Sequence, residues 1–108
     1  MNLKAKMIVD TIRWSLERHG IQVYIAHKGD SDAGAIFIKH DKGDGIYDVY
    51  HRVNDYDIGK KIRFLNTFSE ERLTIFFKKQ KDIDGDLWLI EVVSKGYDLH
   101  SLFLKQGL

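Results

Sequence analysis

The sequence contains no cysteine. Disulfides, thiolate catalysis, Cys-ligated zinc and iron–sulfur clusters are therefore excluded by inventory. It contains no proline either, so every backbone N–H is available and no turn is fixed by a ring. An excess of one charge sign is also missing: 17 basic residues against 16 acidic ones leave a formal net charge of +1. Such a balance exerts no global pull toward nucleic acid, anionic membranes or acidic substrates. No apolar run approaches the length of a membrane span. The opening stretch Met1-Asn2-Leu3-Lys4-Ala5-Lys6 lacks the apolar segment of a signal peptide. These absences set a cytoplasmic location as the expectation, with no membrane partner.

What is present is enough apolar material for one core. The 108 residues are 44% hydrophobic and 12% aromatic, which fits a single domain spanning 1–108. Residues 5–19 read as a helix, because Ala5, Ile8, Val9, Ile12 and Leu16 share one face. Gly20 follows as its stop. Leu3, Met7 and Trp14 form a second apolar stripe on the opposite side. Either another part of the chain covers that stripe or it is a partner-binding or dimer face, since Trp and Met are enriched in interfaces.

Alternation then predicts strands over Ile21–His27, Ala35–His40 and Ile46–Val53. Asp41-Lys42-Gly43-Asp44-Gly45 reads as a hairpin turn. Three consecutive antiparallel strands in a meander is the economical arrangement. Residues 54–60 read as a polar loop and Lys61–Leu65 as a short fourth strand. Ser69 is placed to N-cap a second helix, with Glu70 and Glu71 in its first turn and Phe68 stapling onto Leu73. Leu87–Val93 is nearly all apolar and reads as a central strand covered on both faces. Tyr97–Leu104 fits either a last strand or a helical turn. The expected fold is α+β: a single antiparallel sheet of four to five strands with two helices packed on it.

Three segments carry a family resemblance. They are Met7-Ile8-Val9-Asp10-Thr11-Ile12-Arg13 ahead of Gly20, Lys28-Gly29-Asp30-Ser31-Asp32-Ala33-Gly34-Ala35, and Asp84-Gly85-Asp86-Leu87-Trp88-Leu89-Ile90-Glu91. In order and spacing the chain resembles a family of small alphaproteobacterial proteins classed as a domain of unknown function. The second segment is similar to that family's basic-Gly-Asp-x-Asp-Ala-Gly-Ala signature, the third to its Asp-Pro-Asp-Leu-Trp-x-x-Glu signature. The chain departs at Gly85, where the family has proline. It departs again at Val93 and Ser94, which replace an acidic pair. The resemblance implies one compact domain and no settled activity.

Several residue sets could carry chemistry. Lys28, Gly29, Asp30, Asp32 and Gly34 could hold a cation on carboxylates or a phosphate on glycine amides. The same residues equally make a loop whose aspartates accept backbone hydrogen bonds. The Gly-Lys-Ser/Thr element of a P-loop and the G-x-G-x-x-G of a dinucleotide site are both missing, so no cofactor is expected. Asp82, Asp84 and Asp86 imitate half a calcium loop, but glycine and the closing glutamate fall at the wrong positions. The five histidines do not converge on one strand end, so no metal site is expected. His51-Arg52 beside Tyr50 could form an anion or acid–base patch. Ser31 with His27 is the nearest approach to a nucleophile pair. Glu91, a carboxylate on an apolar strand, needs a partner such as Lys28, Lys39 or Arg52.

Function is left open among three readings. The first is a small non-enzymatic module that binds a protein or serves structurally, as a homodimer, through Leu3, Met7 and Trp14. The second is a small-molecule-binding or catalytic protein using the Asp30–Gly34 loop with Lys28 and Glu91. The third, least favoured, is a nucleic-acid accessory factor using the basic helix end Lys78-Lys79-Gln80-Lys81.

Overall fold

The apolar stripe of the first helix dictates its burial. In a computed structural model, which describes residues 4–55 and 59–108, α1 (Ala5–Glu17) buries Ala5, Ile8, Val9, Ile12 and Leu16. Gly20 follows with φ +78°, the left-handed conformation that ends helices. The strands are β1 (Gln22–His27), β2 (Ile36–Asp41), β3 (Ile46–Asp55), β4 (Gly59–Ser69) and β5 (Trp88–Val93). Helices α2 (Glu70–Ile83) and α3 (Leu99–Lys105) follow β4 and β5 respectively.

The five strands form one sheet in the order β1-β5-β2-β3-β4. This corrects the expected antiparallel meander. β1 and β2 are not neighbours, because β5 inserts between them and pairs antiparallel with β1 and parallel with β2. The sheet is therefore mixed. The physical reason lies in β5 itself: a strand apolar on both faces belongs in the middle of a covered sheet. The expectation of two helices is corrected as well. The stretch left open between strand and helical turn, Tyr97–Leu104, falls largely in a third helix, Leu99–Lys105, capped by Asp98, whose side chain accepts from Ser101 N.

The sheet is covered on both sides. One face packs Ile36, Ile38, Tyr50, Trp88, Ile90 and Val92 against α1 and α3. The other packs Phe37, Val49, Leu87 and Leu89 against Leu73 and Phe77 of α2. The α2 start forms as its sequence dictates: Ser69 Oγ accepts from Arg72 N at 3.3 Å, and Phe68 packs on the cluster that contains Leu73. The Asp41–Gly45 turn also forms, with Asp41 and Asp44 accepting from Gly43 N and Ile46 N. β4 is longer than the expected Lys61–Leu65. The 54–60 segment instead continues β3 to Asp55 and starts β4 at Gly59, while its residues 56–58 lie outside the described residues.

Candidate functional site

Because β5 lies between β1 and β2, the Lys28–Ala35 loop must span two inter-strand spacings, about 9.5 Å. The start of β5 passes beneath it. Gly29 and Gly34 both lie against the Asp86 carbonyl: a Cβ on either would stand 2.1 Å and 2.2 Å from that oxygen. Gly34 also has φ +117°. Only glycine fits both constraints. The segments Lys28–Ala35 and Asp84–Trp88 thus interlock as a clasp.

Hydrogen bonds close this clasp from several sides. Asp30 N donates to Asp86 O at 3.0 Å, and Trp88 N to Ala35 O at 2.7 Å. The Trp88 indole Nε1–H donates to Asp30 O at 2.8 Å. One Asp30 carboxylate oxygen accepts from Asp32 N and Ala33 N at 3.0 and 2.9 Å. Asp84 accepts from Ala35 N and Asp86 N, both at 2.9 Å. The loop also caps α1, whose N-cap residue Lys4 makes no side-chain cap bond. Ser31 O and Asp32 O accept from Lys6 N and Ala5 N instead.

The loop candidates Lys28, Gly29, Asp30, Asp32 and Gly34 therefore sit together. Lys28 and Asp32 are exposed, and Asp32 faces Lys4 Nζ at 3.3 Å. Glu91 is not brought to them. It lies four residues further along β5 than Leu87, about 13 Å away, and meets Lys39 Nζ at 3.7 Å. Lys39 in turn sits 4.8 Å over the Tyr47 ring. Of the three cations expected near Glu91, Lys39 is the one that meets it.

The half calcium loop of Asp82, Asp84 and Asp86 does not announce that Asp84 holds Ala35 N. The available signal was chemical: two Asp-Gly clusters, each opening a strand. Beside the clasp is a depression of about 320 Å³ lined by Gly34, Ala35, Ile36, Arg52, Lys60 and Asp84. Burial pulls the Arg52 guanidinium below its ordinary value.

The remaining candidates lie apart. Alternation along β3 separates the expected Tyr50–His51–Arg52 patch. His51 stacks on Phe37 at 6.2 Å on the α2 side, whereas Tyr50 meets Phe103 of α3 edge-on. His27 Nδ1 lies 2.9 Å from Leu87 O. His40 is buried with Nε2 3.0 Å from Ser94 Oγ, and that burial lowers its pKa against the pull of the Ser94 carbonyl. Among the described residues no group of three or more His, Cys, Asp or Glu side chains is placed to hold a metal ion. No helix of the described residues is long and apolar enough to cross a membrane.

Two members of the expected stripe on α1 are exposed. Met7 is 52% and Trp14 62% exposed, on the side of α1 away from the sheet. The Arg18 guanidinium lies 4.6 Å above the Trp14 ring. Leu3, the third member of the expected stripe, lies outside the described residues.

Known proteins place the chain without giving it an activity. A solution structure of protein Atu0922 from A. tumefaciens is similar, with a TM-score of 0.78, 23% identity, and coverage of 95% of this chain and 93% of that one. A crystal structure of a DUF1491 family protein from Caulobacter crescentus CB15 gives 0.72 at 23% identity, covering 88% and 89%. An NMR structure of a DUF1491 family protein from the same organism gives 0.68 at 26%, covering 89% of each chain. These likenesses concern the fold. No curated protein matches this chain. A family described as a protein of unknown function, DUF1491, matches residues 3–99, and the chain belongs to that family.

Proposed function

We propose that the protein is a small cytoplasmic, non-enzymatic module that binds proteins, a second copy of itself among them. The observation that carries this reading is the outer ridge of α1. Met7, 52% exposed, and Trp14, 62% exposed, lie on one side of the helix as apolar surface that nothing buries among the described residues. Trp, Met and Arg are the residue types enriched in interface anchors, and Met7, Trp14 and Arg18 stand in line here at helical spacing. An open depression of about 510 Å³ lies beside Trp14, lined also by Asp10, Arg13, Glu17 and Arg18. It sets the indole among four charged side chains.

The clasp supports the same reading from the other side. Asp30 and Asp84 direct their carboxylates at backbone N–H groups of the chain itself, which leaves them little to offer a ligand. A second reading rests on the depression at Arg52, Lys60 and Asp84. Two cations against one carboxylate suit a small anion.

A photo-crosslinking residue at position 11, exposed on α1 beside Met7 and Trp14, compared with one at the exposed Ile83 of α2, tests the first reading in native cytosol. We expect a discrete protein adduct from position 11 and none from position 83. Silence at position 11, with a small anion that raises the melting temperature, would replace it with the second reading.

A further inference from the structure

The two free edges of the sheet differ. β4 carries Lys60, Lys61 and Arg63, and cations along an edge discourage pairing with a like strand. β1 reads Gln-Val-Tyr-Ile-Ala-His, with no Asp, Glu, Lys, Arg or Pro, and alternate residues exposed. Its single irregularity falls between Ile25 and His27, so Gln22–Ile25 keep regular register with β5. The outward N–H and C=O groups of such a strand are a template for another strand.

α1 flanks this edge with a patterned charge row. Lys6, Asp10, Arg13 and Glu17 follow one another at four-, three- and four-residue spacing on one flank of the helix. Arg18, which follows α1 in line with Met7 and Trp14, donates from Nη2 to Gln106 Oε1 at the end of α3 at 3.0 Å. The ridge thus leans toward α3, and the row, about a quarter turn round the helix, leans toward β1. Consistent with that, Glu17 lines a shallow hollow together with Gly20, Ile21, Gln22, Val23 and Tyr24. Within the chain the row pairs Lys6 with Asp10 at 2.9 Å and Arg13 with Glu17 at 3.1 Å.

Reversed in direction, the row is its own complement. A twofold axis between Thr11 and Ile12 sets Lys6 against Glu17 of the partner subunit, and Asp10 against Arg13 of the partner subunit. The row spans about 16 Å along the helix and β1 about 20 Å. α1 and β1 run antiparallel through one tight turn, so their midpoints lie abreast. One axis can serve both elements.

We propose that a second copy of this chain docks on this edge. β1 pairs antiparallel with its counterpart, two five-stranded sheets become one of ten strands, and the two α1 charge rows meet across the axis. The interface is isologous, each surface serving as its own complement. The proposal rests on the protein-binding reading above. It places self-association on the β1 edge, where the row takes Asp10, Arg13 and Glu17 from the depression beside Trp14, and leaves Met7, Trp14 and Arg18 for other proteins.

Charge exchange tests it, because all four side chains are exposed and their loss costs the fold little. Sedimentation equilibrium over a concentration series should show a dimer for the unaltered chain. R13E alone and D10R alone each set like charges across the axis and should be monomeric. The D10R/R13E double variant reverses both signs and should dimerise again. A one-to-one mixture of R13E with D10R should give heterodimers. Dimers that persist in R13E and D10R would overturn the proposal, and so would an unaltered chain that stays monomeric. Dimers lost in W14A but kept in R13E would overturn it in favour of the ridge, with the protein-binding reading intact. A W14A chain that still dimerises but loses its crosslinked partner separates the two surfaces.

Discussion

The clasp and the α1 ridge are built from opposite uses of the same chain. In the clasp, polar groups turn inward. Asp30, Asp84 and the Trp88 indole each satisfy a backbone group of a segment some 50 or more residues away or within their own turn. On the ridge, apolar groups turn outward, and among the described residues Met7 and Trp14 stay more than half exposed. A motif rich in Asp and Gly invites a ligand, yet here its glycines are required by the close passage of Asp86. A stripe of Met and Trp invites burial, yet it lies on the solvent side of a helix whose core face is already full. The Asp- and Gly-rich segments hold the fold, and a plainer stripe is exposed among the described residues.

The largest effect should come from the clasp glycines. Gly34→Ala combines φ +117° with a Cβ 2.2 Å from Asp86 O. Relief requires strain or displacement of β5, costing about 2–4 kcal/mol. Chemical denaturation should show that loss with the m-value unchanged. An Ala at position 34 that leaves stability intact would break the comparison.

Trp88→Phe keeps a ring in the core and removes the donor to Asp30 O. Leaving that carbonyl unsatisfied should cost about 1–3 kcal/mol. Asp84→Ala should act in the same direction, since Ala35 N and Asp86 N both lose their acceptor. Amide exchange at those two positions would report it locally.

A smaller effect should appear on acidification, away from both regions. Burial lowers the His40 pKa below the 6.5 of the ordinary side chain, and burial lowers that of His51 likewise. The unfolded chain then binds more protons than the folded one just below pH 6.5. Stability should therefore fall as pH drops through that window and be fully present above it. Replacing His40 with Gln should flatten this slope in a series of denaturant titrations. A slope unchanged in H40Q would assign it elsewhere.

Trp14→Ala should have the least effect on the fold, within about 0.5 kcal/mol, because the indole packs chiefly against Arg18. It should nevertheless abolish partner capture. A drop in stability as large as that of Trp88→Phe would show that the ridge is a structural element after all.

Local chemistry was legible at several points of the chain. The α1 face, the Ser69 cap and the Asp41–Gly45 turn formed as their residues require, because each is decided by neighbours within a few positions. β5 was legible as a covered strand from Leu87–Val93 alone. Its place in the sheet was not. Periodicity states which face a residue takes but not which strand lies beside it, so insertion of β5 between β1 and β2 left no local trace. That one pairing changed the meaning of the Lys28–Ala35 loop from a hairpin tip to a bridge over β5. α3 escaped assignment because seven residues are too few for a clear helical stripe. Of the candidate site, the loop residues and the Met7–Trp14 stripe were visible as sets. The distance between Glu91 and the loop followed only from the sheet order.

The most direct measurement is a thermal-shift screen of the unaltered chain against nucleotides, divalent metals, common metabolites and small anions. A ligand at 100 times its Kd stabilises by about 2.7 kcal/mol, and each kcal/mol moves Tm by about 4–8 °C in a domain of this size. A true ligand would therefore shift Tm by roughly 10 °C or more. With the clasp as a structural device and the surfaces as the working parts, we expect no compound to do so. A large shift that disappears in the K28A/D32A variant, whose altered side chains are exposed and leave the clasp bonds in place, would contradict this and return function to the loop.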